Sequence, residues 1–432
     1  MSRPHVRFVH FGDVHLGFRQ YGLPERAADF ARAFRSAVAY CVEVNPDFVV
    51  MAGDLFDSKS IDPQTYADAD VGLSKLADAG IPVVAVEGNH ERWFRRGERS
   101  WLWQLSRGRR LRLLQQADPG YEGQTWRPWT AERGYGAYTD IGPVRIFGVE
   151  YLGARLGAQI PEVIKAAQQL PAHGVQFRIG VLHTGVNEES PVGQGGIDAV
   201  QVLALREVAD YLALGHIHYR YELPSEEPFI FNPGALESHN IVEGIMDQRA
   251  ADDGGRERGL YDVAAWVGPR PTIRAQFRDD VVVRRPFVRL AVDVSRSRSF
   301  DDICVELTRA LHPSPVPTEF QPMVNVVLRG ALGFDRAMLD QPALIDLVRK
   351  HYDPLHVRVT LNLERPISGG LTARTGSRSQ IERDVVHGLI AQHSTCVAES
   401  DALAEKTLEL KRMVLEGQTE EALAPIVEAT VP

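Results

Sequence analysis

Five short stretches of this sequence each put a ligand-type residue directly after an apolar run. They are Asp13 with His15, Asp54, Asn89 with His90, His183, and His216 with His218. Carboxylate, amide oxygen and imidazole without thiolate form a donor set for Mn2+, Fe2+ or Zn2+ rather than Cu+ or an iron–sulfur cluster. Asp13, His15, Asp54, Asn89, His183, His216 and His218 are the candidate ligands, and His90 lies beside them. Two ions about 3.5–4 Å apart can activate a water and steady phosphoryl oxygens during in-line attack. Two divalent charges against Asp13 and Asp54 leave such a site net positive, which attracts a phosphodiester. A lone Asp-x-His or Gly-Asn-His is often an ordinary turn. Five such hits in order, each after an apolar strand, point to one constructed site.

The elements that must carry these residues are legible. Val6–Phe11 reads as a strand, residues 25–44 as a helix stopped by Asn45-Pro46, and Asp47–Val50 as a buried strand leading to Gly53-Asp54. A helix near 64–79 and a strand over Ile81–Val86 follow, giving a parallel strand–helix–strand layout. Val144–Val149, Phe177–His183, Tyr211–His218 and Phe229–Gly234 are further strands, with more expected through 260–278. Residues 246–258 read as a loop. Glycines 12, 53, 88 and 215 precede the ligand residues, where the chain must turn tightly. Residues two apart on a strand share a face, so Asp13 with His15, and His216 with His218, are expected to reach a common ion. Asp54, at a strand's carboxyl end, is expected to bridge both ions.

Arg284-Arg285-Pro286 looks like a seam. Beyond it the pattern is strand (287–293), helix (301–312), strand (323–329), helix (335–350) and strand (355–362), a small α/β unit. Ile367–Gly370 reads as a linker. Ser379 and Glu382 have capping-box spacing for a helix with Ile381, Val385, Leu389 and Val397 on one face. A second helix is expected from about Asp401 to Glu416. The expected domains are 1–283, 284–368 and 369–432.

The chain has 432 residues, 44% of them hydrophobic, and a net charge of −9, which argues against indiscriminate nucleic-acid binding. Locally the balance reverses. Residues 92–112 hold eight arginines against Glu98, interleaved with Trp93, Trp101 and Trp103. Arginines hold phosphates and tryptophans stack on bases, so Arg92, Arg95, Arg96, Arg99, Arg109 and Arg110 are candidate DNA contacts. The alternative is a solvated face whose tryptophans anchor a helix. Three distant cysteines, no leader and no apolar run of spanning length imply a cytoplasmic protein without a membrane partner. No G-x-x-x-x-G-K-[ST] loop is present, so the chain is not expected to hydrolyse ATP itself.

Gly12-Asp13-Val14-His15, Gly53-Asp54, Gly88-Asn89-His90, His183 and Gly215-His216-Ile217-His218 together resemble the calcineurin-like metallophosphoesterase superfamily. Gly53–Asp57, Asn232-Pro233-Gly234 and the extra C-terminal unit resemble its SbcD-type DNA repair nucleases, the meiotic-recombination nuclease family. The motif resemblance covers roughly residues 5–240. It implies a four-layer α/β fold, a β-sandwich flanked by helices, with a smaller α/β capping domain and a C-terminal helical segment. It implies two divalent ions, most often Mn2+. One would take Asp13, His15, Asp54 and His218; the other would take Asp54, Asn89, His183 and His216. His90 would contact the scissile phosphate as general acid or transition-state stabiliser. Some members carry a histidine where this chain has Asp57. Ser58-Lys59-Ser60 replaces the arginine that phosphoprotein phosphatases carry there. The family cleaves DNA beside an SMC-like coiled-coil ATPase that its C-terminal helices bind, and a homodimer is possible. The rival readings are a small-molecule (cyclic nucleotide) phosphodiesterase and a non-catalytic scaffold for an ATPase.

Overall fold

The computed structural model describes residues 5–92, 99–116, 126–189, 196–246, 256–311, 319–364, 380, 382–383, 386–387 and 400–415. Its strands are β1 (Val6–Phe11), β2 (Phe48–Met51), β3 (Val83–Val86), β4 (Arg112–Leu114), β5 (Tyr138–Ile141), β6 (Val144–Val149), β7 (Phe177–His183) and β8 (Tyr211–Gly215). They continue with β9 (Arg220–Leu223), β10 (Ile230–Pro233), β11 (Leu260–Trp266), β12 (Thr272–Arg278), β13 (Phe287–Asp293), β14 (Met323–Gly330) and β15 (His356–Leu363). The helices are α1 (Pro24–Val44), α2 (Pro63–Asp78), α3 (Trp101–Arg107), α4 (Arg155–Gln168), α5 (Ala199–Leu203), α6 (Ile241–Met246), α7 (Phe300–Leu311), α8 (Gln341–Tyr352) and α9 (Ser400–Leu415).

Alternation along the opening strands builds two cores from one sheet. Phe48 and Val50 of β2, with Val84 and Val86 of β3, face one way; Val49, Met51, Val83 and Ala85 face the other. The first set packs against Ile146, Ile179, Val181 and Phe231 of a second sheet. The other set packs against Phe34, Val38, Leu73 and Leu102 of α1, α2 and α3. The second sheet's outer face buries Leu156, Ile160 and Val202 of α4 and α5. The order is therefore helix, sheet, sheet, helix, the four layers expected from the motifs. Strand order is β12-β11-β1-β2-β3-β4 in one sheet, β5-β6-β7-β8-β10-β9 in the other, and β13-β14-β15 in a third. Strands β1 to β4 are parallel, as are β6, β7, β8 and β10. All the carboxyl ends that carry ligand-type residues thus sit along one rim.

Several elements differ from the sequence reading. Residues 155–168, left unassigned between two strands, form α4 despite Pro161 inside it. Residues 241–246, unassigned between the strand ending at Gly234 and the expected loop over 246–258, form α6, whose start is set by Asn240 accepting from the backbone N–H groups of Val242 and Glu243. The expected helix over 335–350 is a short 3-10 turn followed by α8, because Asp340 caps a fresh start by accepting from Ala343 N at 3.0 Å.

The chain forms two compact units, Met1–Asn362 and Leu363–Pro432. In the second, α9 covers the expected second tail helix, and Glu405 pairs with Arg383 at 2.7 Å and Lys411 with Glu382. The apolar face expected at Ile381, Val385, Leu389 and Val397 lies outside the described residues. No described helix is long and apolar enough to cross a membrane.

One buried ion network ties α1 to the loop before α6 and to the start of the third sheet. Arg26, fully buried, donates to Asp29 Oδ2 (2.6 Å), Gln20 Oε1 (2.7 Å), Glu237 Oε1 (3.3 Å) and the Ser238 carbonyl (2.8 Å). Arg285 grips the Asp29 carboxylate with two nitrogens, at 2.6 and 2.9 Å, and the Gln321 carbonyl with a third. Removing one partner of such a network strands the remaining charges, at a cost of about 3–5 kcal/mol. Arg26→Ala should lose that much in urea unfolding. A loss under about 1 kcal/mol, the range of surface ion pairs, would contradict the network's role.

Candidate metal centre

Asp13, His15, Asp54 and His216 all adopt positive φ, at 50°, 50°, 50° and 97°. Such backbone is uncommon outside glycine and clusters at functional sites. It also corrects the strand-alternation expectation. Asp13 and His15 lie in the loop after β1, and His216 and His218 in the turn after β8. They share a site because tight turns aim them together, not because they alternate along a strand. The loop is pinned beside the segment after β2: Asp13 N donates to the Gly53 carbonyl, and Val14 N and His15 N to that of Asp54. Gly53 (φ 92°) lies against the His183 ring, and Gly88 against the Asp54 carboxylate, so close that a Cβ at either would collide.

The side chains converge. His183 Nε2 lies 3.1 Å from Asp54 Oδ2 and 3.0 Å from Asn89 Oδ1, and His216 Nδ1 lies 2.9 Å from the same Asn89 oxygen. His183 Nδ1 is 2.8 Å from the Ala52 carbonyl, a partner that accepts only, so Nδ1 keeps its proton and Nε2 is the nitrogen that can give one up to an ion. That nitrogen faces two oxygens. On the other side, His15 Nε2 and His218 Nε2 face each other at 3.2 Å, with Asp54 Oδ2 4.0 Å from His15 Nε2. Ligand atoms of Asp13, His15 and His218 lie within 4.8 Å of one another, as do those of Asp13, Asp54 and His183. Buried lone pairs set against each other repel unless a cation or proton lies between them. The donor set therefore fits divalent ions, with Asp54 reaching both groups. His90 has an atom within 4.8 Å of His15 and Asp54, but its ring is about one-third exposed, whereas those of His15 and His183 are fully buried.

The electrostatics agree. Burial pushes the Asp13 carboxyl up. Burial works the same way on Asp54, but His183 outweighs it and holds the carboxyl well below the usual carboxylate range. For His183, burial pulls down while Asp54 and Asp13 pull harder, up to about 9. Burial drives His15 down to about 3. His218 is lowered by burial, yet Glu243, 3.4 Å from its Nδ1, leaves it raised.

Some neighbours were not read from the sequence. Glu91 accepts from Leu55 N at 2.9 and 3.1 Å, fixing the backbone just after Asp54, and burial raises its carboxyl well above the ordinary value. Glu243 sits behind His218 as a carboxylate behind a ligand imidazole. His239 stacks on Phe18 at 3.8 Å and meets Asp57. The Asn240-x-x-Glu243 spacing was a helix-start signal for that segment; His239 itself carried none.

The arginine run divides. Arg95 and Arg96 lie outside the described residues. Arg92 directly follows His90-Glu91 and pairs with Glu150 at 3.3 Å. Arg99 lies over the Trp103 and Tyr135 rings. Arg109 and Arg110 precede β4, whose first residue pairs with Val84, so they sit at the amino end of the parallel strands, away from the site. Arg110 is held by Asp70 at 2.6 Å. Trp101 and Trp103 use their indole N–H groups on the carbonyls of Lys59 and Arg133. The structure therefore does not bring Arg109 and Arg110 to the ligand cluster.

Because an incoming ion must displace the His183 proton, metal affinity should rise with pH until about pH 9. Calorimetric Mn2+ titration should show up to about a tenfold gain per pH unit from pH 6, then a plateau. A flat profile across that range would contradict the assignment.

The sequence profile of the calcineurin-like phosphoesterase family matches residues 6–220. The DNA double-strand break repair protein Mre11 of Archaeoglobus fulgidus is 31% identical over 250 residues, covering 57% of this chain and 54% of that one. Its Methanococcus maripaludis counterpart is 28% identical, covering 50% and 52%. The Methanocaldococcus jannaschii protein of the same name is 26% identical, covering 79% and 86%. The chain spans about half the length of the first two relatives. Motifs, layers and matched span agree: residues 6–220 form a domain of the calcineurin-like phosphoesterase family.

Proposed function

We propose that this chain is a two-metal DNA nuclease that hydrolyses phosphodiester bonds in break repair, with Mn2+ as its working ion. The observation that carries this is the convergence of buried ligand atoms, His183 Nε2 on Asn89 Oδ1 and His15 Nε2 on His218 Nε2. Asp13, His15, Asp54 and His218 would hold one ion; Asp54, Asn89, His183 and His216 would hold the other. Bound there, the ions would offset charge on the phosphoryl oxygens and lower the pKa of an attacking water. DNA as substrate is supported by the break-repair relatives and by the arginines that directly follow Asn89-His90. We assign contacts to Arg92, Arg95, Arg96 and Arg99, and leave Arg109 and Arg110 to structure.

The protein's own groups supply orientation and proton transfer. His90 N donates to Asp54 Oδ1 at 3.0 Å, so the bridge and the acid move as one piece. His90 Nδ1 lies 2.7 Å from the Asp57 carbonyl and must donate to it. This leaves Nε2 as the nitrogen that can serve the leaving oxygen. Glu91 keeps the Asp54 turn from relaxing by holding Leu55 N.

The tail suits a protein partner better than DNA. Residues 379–432 carry ten acids against four bases, so they would be repelled by a phosphate backbone. Short amphipathic helices are marginal without something to pack on. An SMC-like coiled-coil ATPase would offer them a helical surface.

Two outcomes are expected. Labelled duplex and single-stranded DNA should be cut with Mn2+ and not with chelator. His90→Gln should keep the bound metal while kcat falls by about 10²–10⁴. Turnover of cyclic nucleotides without DNA cleavage would replace the substrate class, and loss of metal would make His90 a ligand. Truncation after residue 370 should spare cleavage of short DNA and abolish co-purification with the ATPase. Full-strength ATPase binding by the truncated chain would contradict the docking assignment.

A further inference from the structure

Asp57 is placed to hold three imidazoles at once. Its Oδ1 lies 3.3 Å from His15 Nδ1 and 3.3 Å from His239 Nε2. Its main-chain carbonyl takes His90 Nδ1 at 2.7 Å. The rings it gathers form a compact group. His90 and His239 each stand 4.8 Å from His15, and His218 stands 5.2 Å from His239. His15 is at the floor with no exposure, whereas His90 and His239 are 33% and 23% exposed, so both line the open rim. The His239 ring lies flat on Phe18, 6° from parallel, which fixes the plane, while Asp57 fixes its rotation.

We propose that Asp57 is a positioning residue that sets the orientation of His15 and His239 through its carboxylate. His239 is thereby a second rim imidazole that contacts the phosphodiester beside His90. The inference rests on the phosphodiesterase reading above and deepens it. A ligand imidazole almost always gives its other N–H to a carboxylate or carbonyl, which fixes its tautomer and raises its basicity. Asp57 Oδ1 occupies that place 3.3 Å from His15 Nδ1, and Glu243 Oε1 stands in the same relation to His218 Nδ1 at 3.4 Å. What is unusual is that one carboxylate serves a buried donor and an exposed imidazole together. Displacing Asp57 should therefore disturb metal binding and substrate handling jointly, while displacing His239 should disturb only the second. The loop that carries His239 begins at Glu237 and Ser238, which Arg26 grips, so the ring is anchored from below as well.

The test uses the full chain, Mn2+, and bis(4-nitrophenyl) phosphate as a generic phosphodiester. Asp57→Asn should weaken Mn2+ binding by about 10–100-fold, the usual effect of losing an outer partner of a ligand histidine. His239→Phe keeps the stacked ring and loses the hydrogen bond. It should hold Mn2+ within about twofold of wild type while kcat falls about 10–100-fold, the scale of a misplaced reacting geometry. The double variant at saturating Mn2+ should be no slower than Asp57→Asn, because the two act as one unit. Imidazole nitrogen NMR of the metal-free protein gives a readout without turnover. In Asp57→Asn the His15 and His239 signals should move, while His90, held by a main-chain carbonyl, keeps its tautomer. Unmoved His15 and His239 signals, wild-type kcat in His239→Phe, or fully multiplicative losses in the double variant would each overturn the proposal. If wild type cleaves no phosphodiester, the functional reading fails, and the NMR and Mn2+ arms still decide the role of Asp57.

Discussion

The structure turns on one unfavourable juxtaposition that it goes to some length to maintain. Asp13 and Asp54 are buried carboxylates, and imidazole nitrogens are crowded against them and against one another. Taking such charges from water costs several kcal/mol apiece unless they are compensated. Four of the residues involved also carry left-handed backbone, a further cost of order 1–3 kcal/mol each. Local propensity favours none of this. It persists because the surrounding sheets over-determine it and because cations can offset it.

That over-determination explains the architecture. A single parallel sheet could deliver Asp13, Asp54 and Asn89 from adjacent strand ends. The remaining histidines come from β7 and β8 of the other sheet, so the site exists only if two sheets pack face to face with their carboxyl ends together. The packing is supplied by the apolar layer between Phe48, Val50, Val84 and Val86 on one side and Ile146, Ile179 and Phe231 on the other. The parallel pairing of β7 with β8 then sets His183 opposite Gly215, one residue before His216. Glu91, Asp57 and Glu243 are the outer supports that keep the inner donors from relaxing away from one another.

How much of this could be read from the sequence follows from how local each signal is. Asp13, His15, Asp54, Asn89, His183, His216 and His218 announce themselves because each ends an apolar run and most follow a glycine, and both cues lie within a few residues. Helices α1 and α2 and the strands over 144–149 and 177–183 were equally plain from periodicity. Helix α4 was hidden because Pro161 and polar residues blur its pattern, and tertiary packing of Leu156, Ile160 and Val163 overrides them. His239 was silent because its meaning lies in contacts with Phe18 and Asp57, some two hundred residues away, and Glu243 because its partner His218 is met only across a turn of the fold. Arg109 and Arg110 misled for the same reason: sequence proximity to Asn89 conceals that the chain turns through α3 and returns to the far end of the sheet.

The claim on which the rest depends is that Asp54 belongs to both ion positions. Metal content of the purified chain by inductively coupled plasma mass spectrometry, after equilibration with Mn2+ and removal of free ion, tests it directly. Wild type should hold two ions per chain, and Asp54→Ala, still folded by circular dichroism, should hold neither. Retention of one full equivalent by the variant would mean that Asp54 serves a single ion, and the bridged centre would have to be abandoned.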